Sequence, residues 1–144
     1  MRRLAAFLLL VNGALLAAPP SEPGFWERFR SAVESHLGRP YVWGACGLKS
    51  FDCSGFVWRV MWDSGVTMKR TTARKLYVAL PTASKQDRWS FGNVVFFDDL
   101  KHCGIVDNRA GFYHAQSSKG TNRSLFDPYW RSKISGVRRV APKR

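Results

Sequence analysis

The period of the hydrophobic pattern changes along this chain, and that change leaves few folds open. Up to about Leu80 apolar residues recur at helical spacing: Phe25, Phe29, Ala32 and Val33 beside charged neighbours, then Phe56, Val57, Val60 and Met61. Beyond Pro81 the runs are short, β-branched and aromatic, as in Asn93-Val94-Val95-Phe96-Phe97, His102 to Asp107 and Gly111 to Gln116. Helices first and antiparallel strands second predict an α+β domain, with N-terminal helices packed on a small antiparallel sheet.

The spacing predicts a first helix from Phe25 that ends near Gly38, a second over about Ser54 to Asp63, and a third over roughly Ala73 to Leu80, stopped by Pro81. A last strand is expected over Ile134 to Val140. His36, near the end of the first helix, reads as a capping or solvent-exposed residue. With 144 residues, 45% hydrophobic and 14% aromatic, the chain has material for one core and lies far from disordered compositions.

Residues 1–18 have the layout of a secretory signal: Met1-Arg2-Arg3, an apolar centre and small residues, with cleavage after Ala17 or Ala18. Residues 19–144 then form the single mature domain, exported to the periplasm or the extracellular space. No stable membrane span is expected once the signal is gone, and the chain is expected to act as a monomer. The formal charge is +13, two units of which lie on Arg2 and Arg3. For an exported protein that balance points to anionic envelope polymers rather than to nucleic acid.

Between the first two helices, Gly44-Ala45-Cys46-Gly47 makes a turn that feeds Ser50-Phe51-Asp52-Cys53-Ser54-Gly55-Phe56. Cys53 therefore falls in the first turn of a helix, where free backbone N–H groups and the positive end of the dipole favour a thiolate. Asp52 stands at a helix N-cap position. Ahead of the turn, Arg39-Pro40 starts an extended segment that brings Tyr41 and Trp43 towards the cysteine, either as cleft lining or as core. Cys46, Cys53 and Cys103 make an odd count, so at least one thiol has no partner within the chain. A Cys46–Cys103 bridge leaves Cys53 free, whereas a Cys46–Cys53 bridge silences it; spacing alone leaves both open.

A nucleophilic cysteine needs a base and a group that orients the base. His102 and His114 lie on two successive strands and share a face if the connecting loop has an odd number of residues. A three-residue loop of Asn108, Arg109 and Ala110 puts His114 opposite Gly104 and diagonal to His102, within about 7–8 Å between backbones. If the Cys53 helix packs on that face, Cys53 is the nucleophile, His102 the base and His114 the orienter. Cys103, next along the strand, should point away from His102 into packing.

The segments Arg39 to Gly44, Phe51 to Phe56, Gly92 to Phe97, His102 to Ile105 and Phe112 to Ala115 resemble, in order and spacing, the motifs of the NlpC-type family of papain-like cell-wall cysteine peptidases. The resemblance implies a papain-like fold, no cofactor or metal, and hydrolysis of amide bonds in peptidoglycan stem peptides, often between D-glutamate and a diamino acid. It gives catalytic roles to Cys53, His102 and His114, makes Tyr41 a candidate oxyanion donor, and places Asp52 and Ser54 beside the substrate, where Trp43, read as cleft lining, is a further candidate contact. Arg70, followed by Thr71, resembles an element that contacts a substrate carboxylate. Ala45-Cys46, Asn93 and Cys103 depart from the family's usual residues, none of them at the proposed triad. An amidase or an acyl transferase on the same fold, a silent basic envelope-binding domain, and a metal-binding protein using Cys53, His102, Cys103 and His114 are the alternative readings.

Overall fold

The computed structural model describes residues 23–140. The signal-like segment 1–18 and the basic end at Lys143 and Arg144 lie outside the described residues. Three helices, α1 (Phe25–Ser35), α2 (Cys53–Asp63) and α3 (Ala73–Ala79), precede the sheet. Strands β1 (Val94–Phe97), β2 (His102–Asn108), β3 (Gly111–Gln116) and β4 (Gly120–Leu125), a short helix α4 (Pro128–Ser132) and β5 (Ile134–Arg138) follow. The sheet order is β4-β3-β2-β1-β5, antiparallel throughout.

Side chains alternate across the sheet and supply two cores. On one face Val94, Phe96, Cys103, Ile105, Tyr113 and Ala115 pack against Phe29 and Val33 of α1 and Phe56, Val57, Val60 and Met61 of α2. On the other, Val95, Phe97, Val106, Phe112 and Val137 pack with Phe126, Trp89 and Trp130. The expected helix-on-sheet arrangement is present, with a second apolar layer that closes the far face.

Two elements are additions to the sequence reading. β4 carries few β-branched or apolar residues and is held as a strand by its register with β3, from Gly111↔Leu125 to Gln116↔Gly120, while α4 is a single short turn capped by Asp127 with Pro128 at its start. His36 also differs from expectation. It is buried, and its Nε2 lies 2.6 Å from Asp63 Oδ2, because the end of α1 packs on the end of α2. Trp43 is not core: it is 87% exposed.

The β2–β3 connection reaches the expected register by another route. Asn108 pairs with Gly111, so the turn holds two residues, Arg109 and Ala110, and a shift between Val106 and Asn108 restores the parity. Val106 then faces Phe112 and Ile105 faces Tyr113, which leaves His114 opposite Gly104. A bulge replaces the odd loop.

The turn before α2 is folded back on the helix. Asp52 N donates to Ala45 O at 2.9 Å, Gly44 adopts φ +75°, and a Cβ on Gly55 would lie 2.0 Å from Ala45 O and 2.8 Å from Asp52 Oδ1. Only glycine lets the turn lie this close to the helix. Gly55→Ala is therefore expected to destabilise the fold by about 2–3 kcal/mol in urea unfolding. A loss under about 0.5 kcal/mol would mean that the turn moves aside freely.

Candidate active site

Asp52 builds the site from the backbone outward. As the N-cap of α2 its Oδ1 accepts from Gly55 N at 2.6 Å, its Oδ2 accepts from Gly44 N at 3.0 Å, and Arg70 Nη2 reaches Oδ1 at 2.6 Å. Arg70 Nη1 donates to Ser54 Oγ at 3.1 Å and to the Thr71 carbonyl. Asp52, Ser54 and Arg70 thus form one connected group, and the Asp52 carboxylate already holds the guanidinium that the sequence reading assigned to substrate. Of the four leading N–H groups of α2, that of Asp52 goes to Ala45 and that of Gly55 to the cap. Those of Cys53 and Ser54 precede the intrahelical ladder and are available at the helix end.

The face taken by α2 corrects the sequence reading. The helix packs on the Cys103–Ile105–Tyr113–Ala115 face, whereas His102 and His114 share the opposite face with Phe97, Phe112 and Trp130. Cys53 still lies beside His102, because His102 is the first residue of β2 and Cys53 the first of α2, so the two side chains are brought near each other around the strand end and His102 bears on the Cys53 thiol. The same geometry packs Cys53 against the buried cluster that contains Cys103. Cys103 does point away from His102, as alternation requires, yet it belongs to the buried cluster on which Cys53 packs and so bears on the proposed nucleophile from below.

These contacts set the protonation states. The neighbouring Cys103 thiol, opposed by burial and aided by His102, brings Cys53 down to about 5, with Asp52 opposing. Cys103 is held as a thiol, first by the neighbouring Cys53 and then by its complete burial. Tyr41 is pushed up by burial and by the negative charges of Cys53 and Asp52, so it stays a neutral phenol. The three cysteines are free in this structure, which leaves neither of the two bridges considered from sequence in place.

The histidines form a relay. His102 Nε2 lies 2.8 Å from His114 Nδ1, and His114 Nε2 lies 2.7 Å from Ser124 Oγ. Burial, the charge of His102 and Lys119 push His114 down to about 3, so it remains neutral. Trp130 stacks on the His102 ring at 5.7 Å and 30° and meets His114 edge-on at 5.0 Å, covering both imidazoles. Sequence reasoning missed Trp130 and Ser124. The one available signal was Ser124's place two residues from Asn122, on the same face as His114 once β4 is recognised.

The segment before His102 is strained. Asp98, Asp99 and Leu100 have φ of 50°, 52° and 68°, and the turn is tied by Asp98 N to Lys133 O, Lys101 N to Asp98 O and Arg74 to Asp99 O. Aspartate tolerates this region, whereas Leu100 bears a larger cost. The turn delivers the Lys101 carbonyl to 3.8 Å from Cys53 Sγ.

Two grooves flank the Cys53–His102 pair, both bordered by Lys101. One, of about 670 Å³, runs along Trp43, Ser54, Arg70, Arg74 and Lys75. The other, of about 620 Å³, runs along Tyr41, Asp98, Asp99, His102, Gln116 and Tyr129. Among the described residues no group of three or more His, Cys, Asp or Glu side chains is arranged to hold a metal ion.

The model of the NlpC/P60 family matches residues 38–139. The chain is 31% identical over 152 aligned positions to the probable endopeptidase NlpC of Escherichia coli, covering 92% of this chain and 97% of that one. It is 31% identical over 113 residues to the probable peptidoglycan endopeptidase LytE of Bacillus subtilis, covering 76% of this chain but 33% of LytE. The chain thus spans about a third of that longer relative. A solved Staphylococcus aureus protein, similar to a lipoprotein of the NLP/P60 family, superposes with a TM-score of 0.71 at 27% identity over 90% of this chain and 46% of that one.

A lowered thiol pKa has a direct readout. In a Cys46→Ser background, alkylation of Cys53 by iodoacetamide should rise as pH increases through about 5 and then level off, since the thiolate is the reacting form above its pKa. Cys103→Val, which removes the thiol donor, should move that midpoint upward. An unchanged midpoint would show that Cys103 only fills space.

Proposed function

The chain belongs to the NlpC/P60 family, and on that premise we propose that it is a peptidoglycan endopeptidase that cuts amide bonds in cell-wall stem peptides with Cys53, His102 and His114. The observation that carries this reading is the placement, at one end of the sheet, of a helix-end cysteine whose thiol is lowered to about 5 beside His102, with His102 Nε2 2.8 Å from Nδ1 of a buried neutral His114.

In this mechanism the resting site holds a Cys53 thiolate beside a His102 imidazolium. The thiolate attacks the amide carbonyl carbon, and the developing oxyanion is met by the Cys53 backbone N–H and the Tyr41 hydroxyl, which is retained as a donor. His102 gives its proton to the departing amine, leaving a thioester on Cys53. Neutral His102 then takes a proton from water, which attacks the thioester and releases the new carboxylate. His114 stays neutral throughout and holds the His102 ring.

The grooves on either side supply the binding surface. Arg70, Arg74, Lys75 and Lys101 give one groove a positive lining suited to stem-peptide carboxylates, with Trp43 as its exposed apolar wall. Asp52 and Ser54 contribute by holding Arg70 at that wall. The same charge supports contact with anionic envelope polymers. We place the protein outside the cytoplasm, in the periplasm or the extracellular space, on the basic, apolar and small-residue order of residues 1–18 and on where its substrate lies.

Incubation with purified peptidoglycan, with released fragments read by mass, tests the reading and names the bond. The wild-type protein should release peptide fragments. Cys53→Ala should abolish release, and His102→Ala should lower the rate by about 10²–10⁴-fold. Equal release by all three proteins, or none by wild type under reducing conditions on several wall chemotypes, would overturn it.

A further inference from the structure

The relay does not end at His114, and its far end fixes the direction in which protons point along it. The starting point is a group that can only accept, the backbone carbonyl of Gly120. Asn122 Nδ2 lies 2.9 Å from Gly120 O and 2.9 Å from Gln116 Oε1. A carbonyl needs a donor, so the amide nitrogen of Asn122 faces it and Asn122 Oδ1 is turned the other way. That oxygen lies 3.3 Å from Ser124 Oγ. Since Oδ1 has no hydrogen, this contact is a hydrogen bond only when the single hydroxyl proton of Ser124 is directed to it. Ser124 Oγ then meets His114 Nε2, 2.7 Å away, with lone pairs only. The His114 proton therefore sits on Nε2, and Nδ1 is bare. His114 Nδ1 is the atom that faces His102 Nε2 at 2.8 Å.

We propose that Ser124, oriented by Asn122 and the Gly120 carbonyl, is a positioning residue that selects the Nε2–H tautomer of His114 and so lets His102 carry the proton of the thiolate–imidazolium pair. The inference deepens the peptidase reading and rests on it for its place in catalysis. The reason is stoichiometric. An imidazolium has N–H on both ring nitrogens, so His102 in the charged state points an N–H at His114 Nδ1. That contact is attractive only if Nδ1 is unprotonated. In the other tautomer two N–H groups would meet head-on at 2.8 Å, and the charged state of His102 would lose its partner. The low value of His114 adds to this, since a ring kept neutral has one proton and the network decides which nitrogen holds it.

β4 is built to deliver these two residues. Asn122 lies opposite His114 and Ser124 opposite Phe112, so strand alternation puts both on the histidine face. Gly120, with φ +70°, opens the strand with a Cβ position 2.2 Å from Arg39 O, a place open to glycine alone.

The test separates this proposal from the peptidase reading. In ¹⁵N-labelled wild-type protein, imidazole nitrogen NMR between pH 6 and 8 should show His114 neutral with its proton on Nε2. Ser124→Ala should leave a mixture of tautomers, move the midpoint of Cys53 alkylation upward, and lower kcat about tenfold with KM unchanged. Ser124→Thr, which keeps a hydroxyl in a strand-compatible side chain, should restore all three. Asn122→Ala frees the hydroxyl's direction and should show the same defects in weaker form. A wild-type His114 protonated on Nδ1, or a Ser124→Ala protein with wild-type tautomer and alkylation profile, would overturn the proposal. If Ser124→Ala fails to fold, the wild-type tautomer and Asn122→Ala still decide. Absence of peptidoglycan cleavage by wild type would count against the peptidase reading alone, since the tautomer and alkylation readouts do not depend on that substrate.

Discussion

The Asp52 carboxylate is the tie on which the rest of the site depends. One side chain caps α2, anchors the Gly44 turn and holds Arg70, so the start of the helix, the preceding loop and the wall of the basic groove share one support. A hydrogen bond donated to a charged carboxylate is among the stronger ones available, and here four, from Gly44 N, Gly55 N, Ser54 Oγ and Arg70 Nη2, converge on a buried group. The position of Cys53 follows from this arrangement. As the first residue after the cap, it has its sulfur at the positive end of the helix and its N–H outside the ladder. Asp52 also raises the Cys53 thiol slightly through its own charge, so the same residue that places the nucleophile opposes its ionisation. His102 and Cys103 outweigh that opposition.

The two histidines are held by a different kind of constraint. Strand alternation sends them to the sheet face away from α2, which at first separates nucleophile from base. The separation is bridged because His102 starts β2 and Cys53 starts α2, so both stand at one end of the layered structure. The consequence is a division of labour by face. The helix face carries Cys103 against the thiolate, and the far face carries His114, Ser124 and Trp130 around the imidazole. A half-buried base under an aromatic cover on one face, with a nucleophile at a helix end on the other, keeps the reacting pair at the rim, between two open grooves.

Much of this was legible in the amino-acid sequence, for reasons that differ by element. The helix that starts at Cys53 and the register that puts His114 opposite Gly104 depend on local spacing, which a sequence displays. The loop that realises that register was misjudged: parity was the real constraint, and a two-residue turn with a bulge satisfies it as well as three residues do. The face occupied by α2 was misjudged too, because alternation within β2 cannot say which side a distant helix covers. β4 was invisible for a related reason. Gly-Thr-Asn-Arg-Ser-Leu has little intrinsic strand character and becomes a strand through its ladder with β3. With it went Ser124 and Asn122. His36 and Asp63, paired across two helix ends, left no trace in spacing at all.

Cys103 shows how one substitution can change meaning between sequence and fold. As a residue on a buried strand facing a core, it reads as a small hydrophobe, and its complete burial agrees with that. Its neighbour alters the reading. A buried thiol beside a forming thiolate is a donor in a place where water is excluded, and an aliphatic side chain of similar volume would fill the same space without one. Packing and electrostatics thus ask for different residues at this position, and a thiol satisfies both. The cost is a second sulfur next to the nucleophile, kept unreactive because it remains protonated and enclosed. The site's reactivity is therefore confined to one sulfur by burial on one side of β2, just as the proton on its partner base is confined to one nitrogen by hydrogen bonds on the other.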